Sequence, residues 1–545
     1  MTGTGSPATT QPADGFEPPR FSERFNMADY FLDARLREGR GERVAIREGT
    51  RAITYAEVWD RANRAGDALR VRGIDLEDRV LLVLPDGVAF VEAWFGVLKA
   101  GGVFCMANPH LDTDALDYLV GYTKARAVVV HRDALPAIGP ALDRHPRCRV
   151  RLAAGLAPGD PTPPGFERWE IALDAARPDQ GNADTSRDDL AGWLFTSGTT
   201  GRPKGAVHFH HDFPFHTECY AKGILGLRED DVFVSVSRLF FGYATGTNLM
   251  FPFAIGGTAV LFPDKPTPGR MFEEVARHGA TVLTNVPSMI RQMLDAPEAA
   301  EADMGSVRMC LSAGEALPPS LYERWRGRWP RAELLDGIGS AEMFHIYIGN
   351  RPGRVRPGSL GELVPGYEAR IVGPDGGEAA PGEPGRLWVK GDSSALCYWG
   401  DPEKSATTFV GEWVVTADLF TRDRDGYFWY AGRGDDLLKV RGKFVSPLEI
   451  EDCLARHPGV RECAVVGVED GDGLTVPKAF VVRAEPVAAR SGDGPSDGTP
   501  NEALAEELQA WVRERLEPNK APRRVAFVDA LPRNDRGKVM RRALR

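Results

Sequence analysis

Long apolar runs are missing from this chain. No stretch of about eighteen consecutive apolar residues occurs, so no membrane-spanning helix is expected and no membrane partner is indicated. Cysteine is scarce and odd in number, with seven at positions 105, 148, 219, 310, 397, 453 and 463. None stands in a C-x-x-C pair, which argues against a zinc ribbon or a disulfide framework; reduced thiols and a cytoplasmic location are the expectation. Positive charge is not in excess. The balance of 67 Lys and Arg against 77 Asp and Glu leaves a net charge of −10, which excludes a dedicated nucleic-acid binder. Residues 1–20 are rich in Thr, Gly and Pro and lack the apolar core of a signal peptide, so they read as a disordered lead-in. Internal repeats are absent, and oligomeric state leaves no mark.

What is present is a long chain of ordinary globular composition. Its 545 residues, 43% hydrophobic and 26% charged, exceed one ordinary core and predict at least two domains. Over the first 190 residues strand-like runs (Arg79 to Leu84, Ala127 to Val130) alternate with helical spacing (Phe90, Trp94, Val97, Leu98). That alternation predicts α/β architecture with largely parallel sheets. From about 355 to 432 short strand candidates lie between Gly, Pro and Asp turns, as in an antiparallel barrel or sandwich. A smaller unit follows Arg433. Within it, 490–499 reads as a mobile loop, and Thr499 to Glu502 as a capping box opening an amphipathic helix through Leu504, Leu508, Trp511 and Val512.

The most telling segment is Thr196-Ser-Gly-Thr-Thr-Gly-Arg-Pro-Lys-Gly205. Its glycines let the backbone approach an anion, its hydroxyls donate, and Arg202 and Lys204 add positive charge. G-x-x-x-x-G-K-[ST] does not fit it, so it is not a Walker A loop. A triphosphate grip and a plain polar surface loop both remain open on local grounds. The preceding run Gly192-Trp-Leu-Phe195 reads as a buried strand, which puts the loop where α/β proteins bind ligands.

Four further segments follow in order: Leu335-Asp-Gly-Ile-Gly-Ser-Ala-Glu342; an apolar stretch from Trp413 that ends in Asp418; Gly432-Arg-Gly-Asp-Asp-Leu-Leu-Lys439 leading to Glu451; and the terminal Gly537-Lys538. With the 196–205 loop, they resemble the acyl-adenylate-forming superfamily from about Phe25 to Arg545. The stretches Phe25 to Leu32, Leu239-Phe-Phe-Gly-Tyr243, Gly337 to Ser340 and Glu342-Met-Phe-His345 are most similar to benzoate-CoA and hydroxybenzoate-CoA ligases.

The resemblance implies an N-terminal AMP- and acid-binding domain over 21–434, with two α/β sheets layered with helices plus a small β-barrel. It also implies a small, mobile α+β domain over 435–545, hinged at Asp435. The implied activity activates benzoate or a close analogue with ATP and Mg²⁺, then transfers the acyl group to coenzyme A. Lys538 is the implied catalytic cation. Thr196, Ser197, Gly198, Thr199, Thr200, Gly201 and Lys204 would hold the phosphates. Glu342 would bind Mg²⁺, Asp418 and Arg433 the ribose, and Gly314-Glu315-Ala316 with Asp336-Gly337 the adenine. Tyr243, Ile338 and His345 would line the aryl pocket, with Gly242 leaving room for a flat ring. Phe241, Lys439 and Gly442 would line the thiol tunnel.

Three positions depart from the family pattern. Ala341 replaces the usual threonine before the magnesium glutamate, leaving Ser340 as the neighbouring hydroxyl. Ala417 replaces a glycine, and Arg441 stands beside Gly442 where a second glycine is usual. Alternative readings are an enzyme that loads a carrier protein, a non-catalytic nucleotide sensor, and a luciferase-type oxidase.

Overall fold

A computed structural model describes residues 16–197, 202–433, 438–440, 443–470, 474–484, 500–533 and 539–544. Among them the strands form two large sheets and three small ones. The eight-stranded sheet is parallel through its middle, where Arg79–Val83 lies between Val103–Met106 and Ala127–His131. Its other half turns antiparallel: Leu190–Ser197 pairs with Pro203–Phe209, and Cys397–Tyr398 adds to that edge. The nine-stranded sheet is parallel from Val44–Glu48 through Glu333–Gly339 and antiparallel at both ends.

Alternate residues of the central strands enter different cores, because side chains on a strand point to opposite faces. Val80 and Leu82 join one cluster and Leu81 and Val83 another; Met309 and Leu311 face the first cluster and Cys310 a third. Both sheets are therefore covered on both faces, as a mostly parallel sheet requires. The shared inner layer holds helices Tyr55–Val71 and Val88–Ala100. Thr54 and Glu57 close a capping box at the start of the first. These helices touch almost backbone to backbone: a methyl on Gly96 would lie 2.4 Å from the Ala65 Cβ. Outer layers come from Thr113–Thr123 on one sheet and from Pro268–His278, Pro287–Asp295 and Pro319–Arg328 on the other.

A five-stranded antiparallel sheet (Glu368–Val372, Gly385–Lys390, Phe409–Val410, Trp413–Arg422, Phe428–Arg433) stands where the sequence predicts the small barrel. The strand from Trp413 does not end in Asp418 but runs on to Arg422, because Leu419 and Phe420 continue to pair across it. Past Arg433 a three-stranded sheet (Val460–Glu469, Thr475–Arg483, Arg524–Phe527) packs with helices Pro447–Ala455 and Pro500–Arg515 around its own core. Asp435, the expected hinge, and the expected loop at 490–499 lie outside the described residues. No helix among the described residues is long and apolar enough to cross a membrane.

Gly96→Ala is expected to cost about 1–3 kcal/mol, because the added methyl overlaps Ala65 in the inner layer. Gly327→Ala, in a helix with nothing near the added methyl, is expected to stabilise by about 0.5–1 kcal/mol. Urea midpoints of the two variants check this; equal midpoints would contradict the layer contact.

Candidate active site

The site is organised by one turn. Strands Glu333–Gly339 and Ile346–Gly349 pair antiparallel, and the seven-residue span from Gly339 to His345 reverses the chain. Phe344 has φ 67° and ψ −56°, and the His345 N–H donates to the Met343 carbonyl at 2.9 Å. That is a γ-turn, a strained conformation for an L-residue. Gly339 makes it possible, since a methyl there would lie 2.2 Å from the His345 carbonyl oxygen. A buried pair steadies the turn from behind. His208 Nε2 donates to the Ala341 carbonyl at 2.7 Å, while Nδ1 meets Asp212 Oδ2 at 2.7 Å. Both side chains are fully buried.

Glu342 leaves this turn on one side. Its Oε1 accepts from the Tyr398 phenol at 2.5 Å. Beside it, Lys204 is 2.8 Å from Asp401 and sits over the Tyr398 ring. The sequence assigns Lys204 to phosphate; here its ammonium faces Asp401 and holds that carboxyl below the usual range. Thr196 lies on Leu190–Ser197 opposite Lys204, so the two antiparallel strands bring together the ends of the glycine-rich loop. The loop flanks are pinned, with Tyr118 donating to the Pro203 carbonyl and Tyr122 accepting from the Gly205 N–H. Gly198, Thr199, Thr200 and Gly201 lie outside the described residues, as does the side chain of Ser197.

Asp418 and Arg433 stand directly opposite each other on neighbouring strands, with Arg433 Nε 3.9 Å from Asp418 Oδ1. The Tyr430 phenol donates to the same oxygen at 3.2 Å. Tyr347 connects this pair with the turn. Burial pushes its phenol well above the ordinary value, and the Asp418 and Glu342 carboxylates push it further. The magnesium glutamate and the ribose aspartate expected from the sequence therefore both act electrostatically on one buried phenol.

His345 leaves the turn on the other side, into a buried aromatic cluster. Its ring lies 5.2 Å from Tyr243, 4.8 Å from His216 and 5.1 Å from Phe251. Its Nε2 donates to the Tyr243 carbonyl at 3.0 Å. A carbonyl only accepts, so Nε2 carries the proton and Nδ1 is a bare acceptor, which finds no hydrogen-bond partner among the described residues. Burial drives this imidazole down to about 4. His216 repeats the pattern: its Nε2 donates to the Ile346 carbonyl, and burial and His345 hold its pKa well below 6.5. Both imidazoles of this cluster are thus uncharged near neutral pH. Tyr243 and Ile338 are half-buried beside it. A methyl on Gly242 would press on Leu194 at 3.2 Å, so the backbone packs closely against that side chain.

The remaining expectations separate. Gly314, at φ 87°, and Ala316 are exposed at a loop whose Glu315 accepts from the Ser288 amide and hydroxyl. Gly337 is buried in its strand. Asp336 points inward, accepts from Ser312 at 2.8 Å, and is pushed up to about 8 by burial. Burial raises the Tyr220 and Tyr243 phenols, and the Asp336 carboxyl adds to it. Phe241 is half-buried, 4.5 Å from Phe240. Lys439 lies on Leu438–Val440, paired with Lys443–Val445. The Lys439 side chain, Gly442 and Lys538 fall outside the described residues.

Sequence reading missed Tyr398, Asp401, His216 and Gly246. The first two stand more than fifty residues from Glu342 and carry no local motif. Gly246 had a signal, being the second glycine of Gly242-Tyr-Ala-Thr-Gly246; a methyl there would lie 2.5 Å from the His345 ring. Among the described residues no group of three or more His, Cys, Asp or Glu side chains could hold a metal ion. A Mg²⁺ at Glu342 would therefore draw its other ligands from phosphate and water, as that hard ion commonly does. The oxygen donor at Glu342 fits that role.

Comparison with known proteins gives consistent matches. The family model of the AMP-binding enzyme covers residues 33–399, and that of the AMP-binding enzyme C-terminal domain covers 449–538. A benzoate–CoA ligase of Thauera aromatica is 41% identical over 529 residues, covering 96% of this chain and 97% of that protein. A 4-hydroxybenzoate–CoA/benzoate–CoA ligase of Rhodopseudomonas palustris is 39% identical, covering 96% and 94%. Among solved structures, an anthranilate CoA ligase in complex with anthranoyl-AMP superposes with a TM-score of 0.88 at 34% identity, covering 96% of this chain and 97% of that one. A benzoate CoA ligase from Burkholderia xenovorans gives 0.84 at 40%, covering 96% and 100%.

The buried histidines set an acid limit. His345 at about 4 and His210 at about 3 stay neutral in the fold, while the unfolded chain protonates near 6.5. Their contribution to stability is complete above about pH 6.5 and is lost as pH falls toward 4. The urea midpoint is expected to fall over that window, and less steeply in His345→Gln. Parallel slopes for wild type and variant would contradict the buried neutral imidazole.

Proposed function

This chain belongs to the AMP-binding enzyme family, and on that footing we propose that it is an ATP-dependent aryl-CoA ligase acting on benzoate or a close analogue. The observation that carries the reading is the single turn that sends Glu342 to Tyr398 and sends His345 into a neutral aromatic cluster. An aryl carboxylate seated there has its apolar ring against uncharged walls and its charged end toward the nucleotide side.

In the first half-reaction a carboxylate oxygen attacks the α-phosphorus of ATP, and the bond to pyrophosphate breaks. In the second, the coenzyme A sulfur attacks the acyl carbon, AMP departs and the thiol proton is released. A bare carboxylate has no workable leaving group; adenylation supplies one. Such phosphoryl chemistry is mostly positioning and neutralisation of charge.

Mg²⁺, held at Glu342 with phosphate and water oxygens, would neutralise phosphate charge. Thr196 to Gly201 would donate to the β- and γ-phosphates, with Lys204 exchanging Asp401 for a phosphate oxygen. Asp418 would accept the ribose hydroxyls while Tyr430 and Arg433 hold it. The Gly314 to Ala316 loop and Asp336-Gly337 would border the adenine. Phe241, Lys439 and Gly442 would line the route of the thiol. Lys538 would bridge the acid and the α-phosphate, and rotation about Asp435 would withdraw it for the second step.

Benzoate-dependent exchange of pyrophosphate into ATP, and benzoyl-CoA formation on adding coenzyme A, test the proposal together. Lys538→Ala is expected to lower exchange by about 10²–10³ while leaving the urea midpoint unchanged. Exchange with alkanoates alone would overturn the aryl assignment. Exchange unaffected by the substitution would overturn the role of Lys538.

A further inference from the structure

The short segment that ends in strand Cys397–Tyr398 holds Glu342 by both main chain and side chain. The strand closes the edge of the eight-stranded sheet, pairing antiparallel with Pro203–Phe209 so that Tyr398 stands opposite Ala206. Just before it, the Ala395 N–H donates to the Glu342 carbonyl at 2.8 Å, which fixes the backbone there. The Tyr398 phenol donates to Glu342 Oε1 at 2.5 Å, which fixes the carboxylate. The other carboxylate oxygen, Oε2, has no hydrogen-bond or ion-pair partner among the described residues. The reaction steps above leave the phenol without a role.

Tyr398 is itself firmly held. It is buried, its N–H donates to Ser405 Oγ at 3.0 Å, and its ring meets Phe409 edge-on at 5.3 Å. The helix that follows, Pro402–Thr408, is capped by Asp401, whose Oδ1 accepts from the Lys404 N–H at 3.0 Å. Oδ2 of the same residue meets Lys204 at 2.8 Å. The Lys204 ammonium stands 5.5 Å from the centre of the Tyr398 ring, a cation–π distance. One side chain therefore touches both charged groups expected to serve the triphosphate. Its phenol meets Glu342, and its ring face meets Lys204.

We propose that Tyr398 is a positioning residue for the metal–nucleotide complex: its phenol holds one oxygen of Glu342 so that the other stays available to Mg²⁺. The inference rests on the reading of Glu342 given above. A free glutamate side chain samples several rotamers, and ordering it costs free energy when a cation binds. A donor already seated on one oxygen removes that freedom in advance. With Oε1 engaged, Glu342 offers one oxygen rather than two, which suits a small octahedral ion that also keeps water and phosphate ligands. Loss of a partner that orients a ligating carboxylate lowers metal affinity by roughly 10- to 100-fold. Tyr398→Phe isolates this effect. It keeps the ring under Lys204 and the backbone bond from Ala395, and removes the phenol alone.

Calorimetry of ATP binding to the full chain, with no acid present, tests the proposal. Titrations in Mg²⁺ and in excess chelator give the gain in ATP affinity that the metal supplies. Wild type should show that gain, and Glu342→Gln should abolish it. Tyr398→Phe should cut it roughly 10-fold while binding ATP in chelator as wild type does. Both titrations use the same variant, so a partly unfolded sample changes the number of sites and not the ratio of affinities. A full gain in Tyr398→Phe, beside its loss in Glu342→Gln, would overturn the role of Tyr398 alone. So would ATP affinity lowered equally in Mg²⁺ and in chelator, which marks a merely structural contact. Wild type without a gain, or a gain that survives Glu342→Gln, would overturn the reading of Glu342, and the role of Tyr398 with it.

Discussion

The close approach of Gly339 to the His345 carbonyl is the constraint on which the site depends. With any side chain at 339 the strands could not reverse in so few residues, because a methyl would overlap the backbone opposite. The reversal has a conformational cost. Phe344 sits in a left-handed γ-turn that costs on the order of 1–3 kcal/mol. Packing holds it there: its buried ring lies 4.6 Å from Phe213 and 5.2 Å from His216, both nearly edge-on. The His208–Asp212 pair secures the adjoining Ala341 carbonyl. Strain at one residue is thus offset by aromatic contacts and a buried hydrogen-bonded pair.

That geometry separates two environments within a few residues. On the Glu342 side stand carboxylates, phenols and cations: Tyr398, Asp401 with Lys204, and Asp418 with Arg433. On the His345 side stand neutral rings whose protonation is suppressed by burial. A molecule with an aromatic body and an anionic head fits across such a boundary, since each end finds the medium it prefers. The layered fold supplies the rigidity. Two sheets covered on both faces, with helices in near-backbone contact between them, leave little freedom for the strands that carry the turn.

Much of this was legible in the sequence because it is local. The glycines of 337–339 and the carboxylate at 342 are read within single segments, and the strand–helix alternation of the first 190 residues gives the α/β class. Contacts that depend on chain reversal were not legible. Tyr398 and Asp401 reach Glu342 and Lys204 only because Cys397–Tyr398 adds to the edge of the sheet beside Pro203–Phe209. Asp418 reads as the end of an apolar stretch, yet it lies within a strand whose partner places Arg433 opposite. The Asp336 carboxyl meets Ser312 on the neighbouring strand, a contact that its own segment does not announce.

The proposed function places the acid and the nucleotide on opposite sides of the 339–345 turn. Crystallising the protein with a non-reactive benzoyl-adenylate mimic tests that claim most directly. The aryl ring is expected in van der Waals contact with Tyr243, Ile338 and His345, with the ribose against Asp418. A mimic bound with its ring outside that pocket, or with its ribose away from Asp418, would contradict the account.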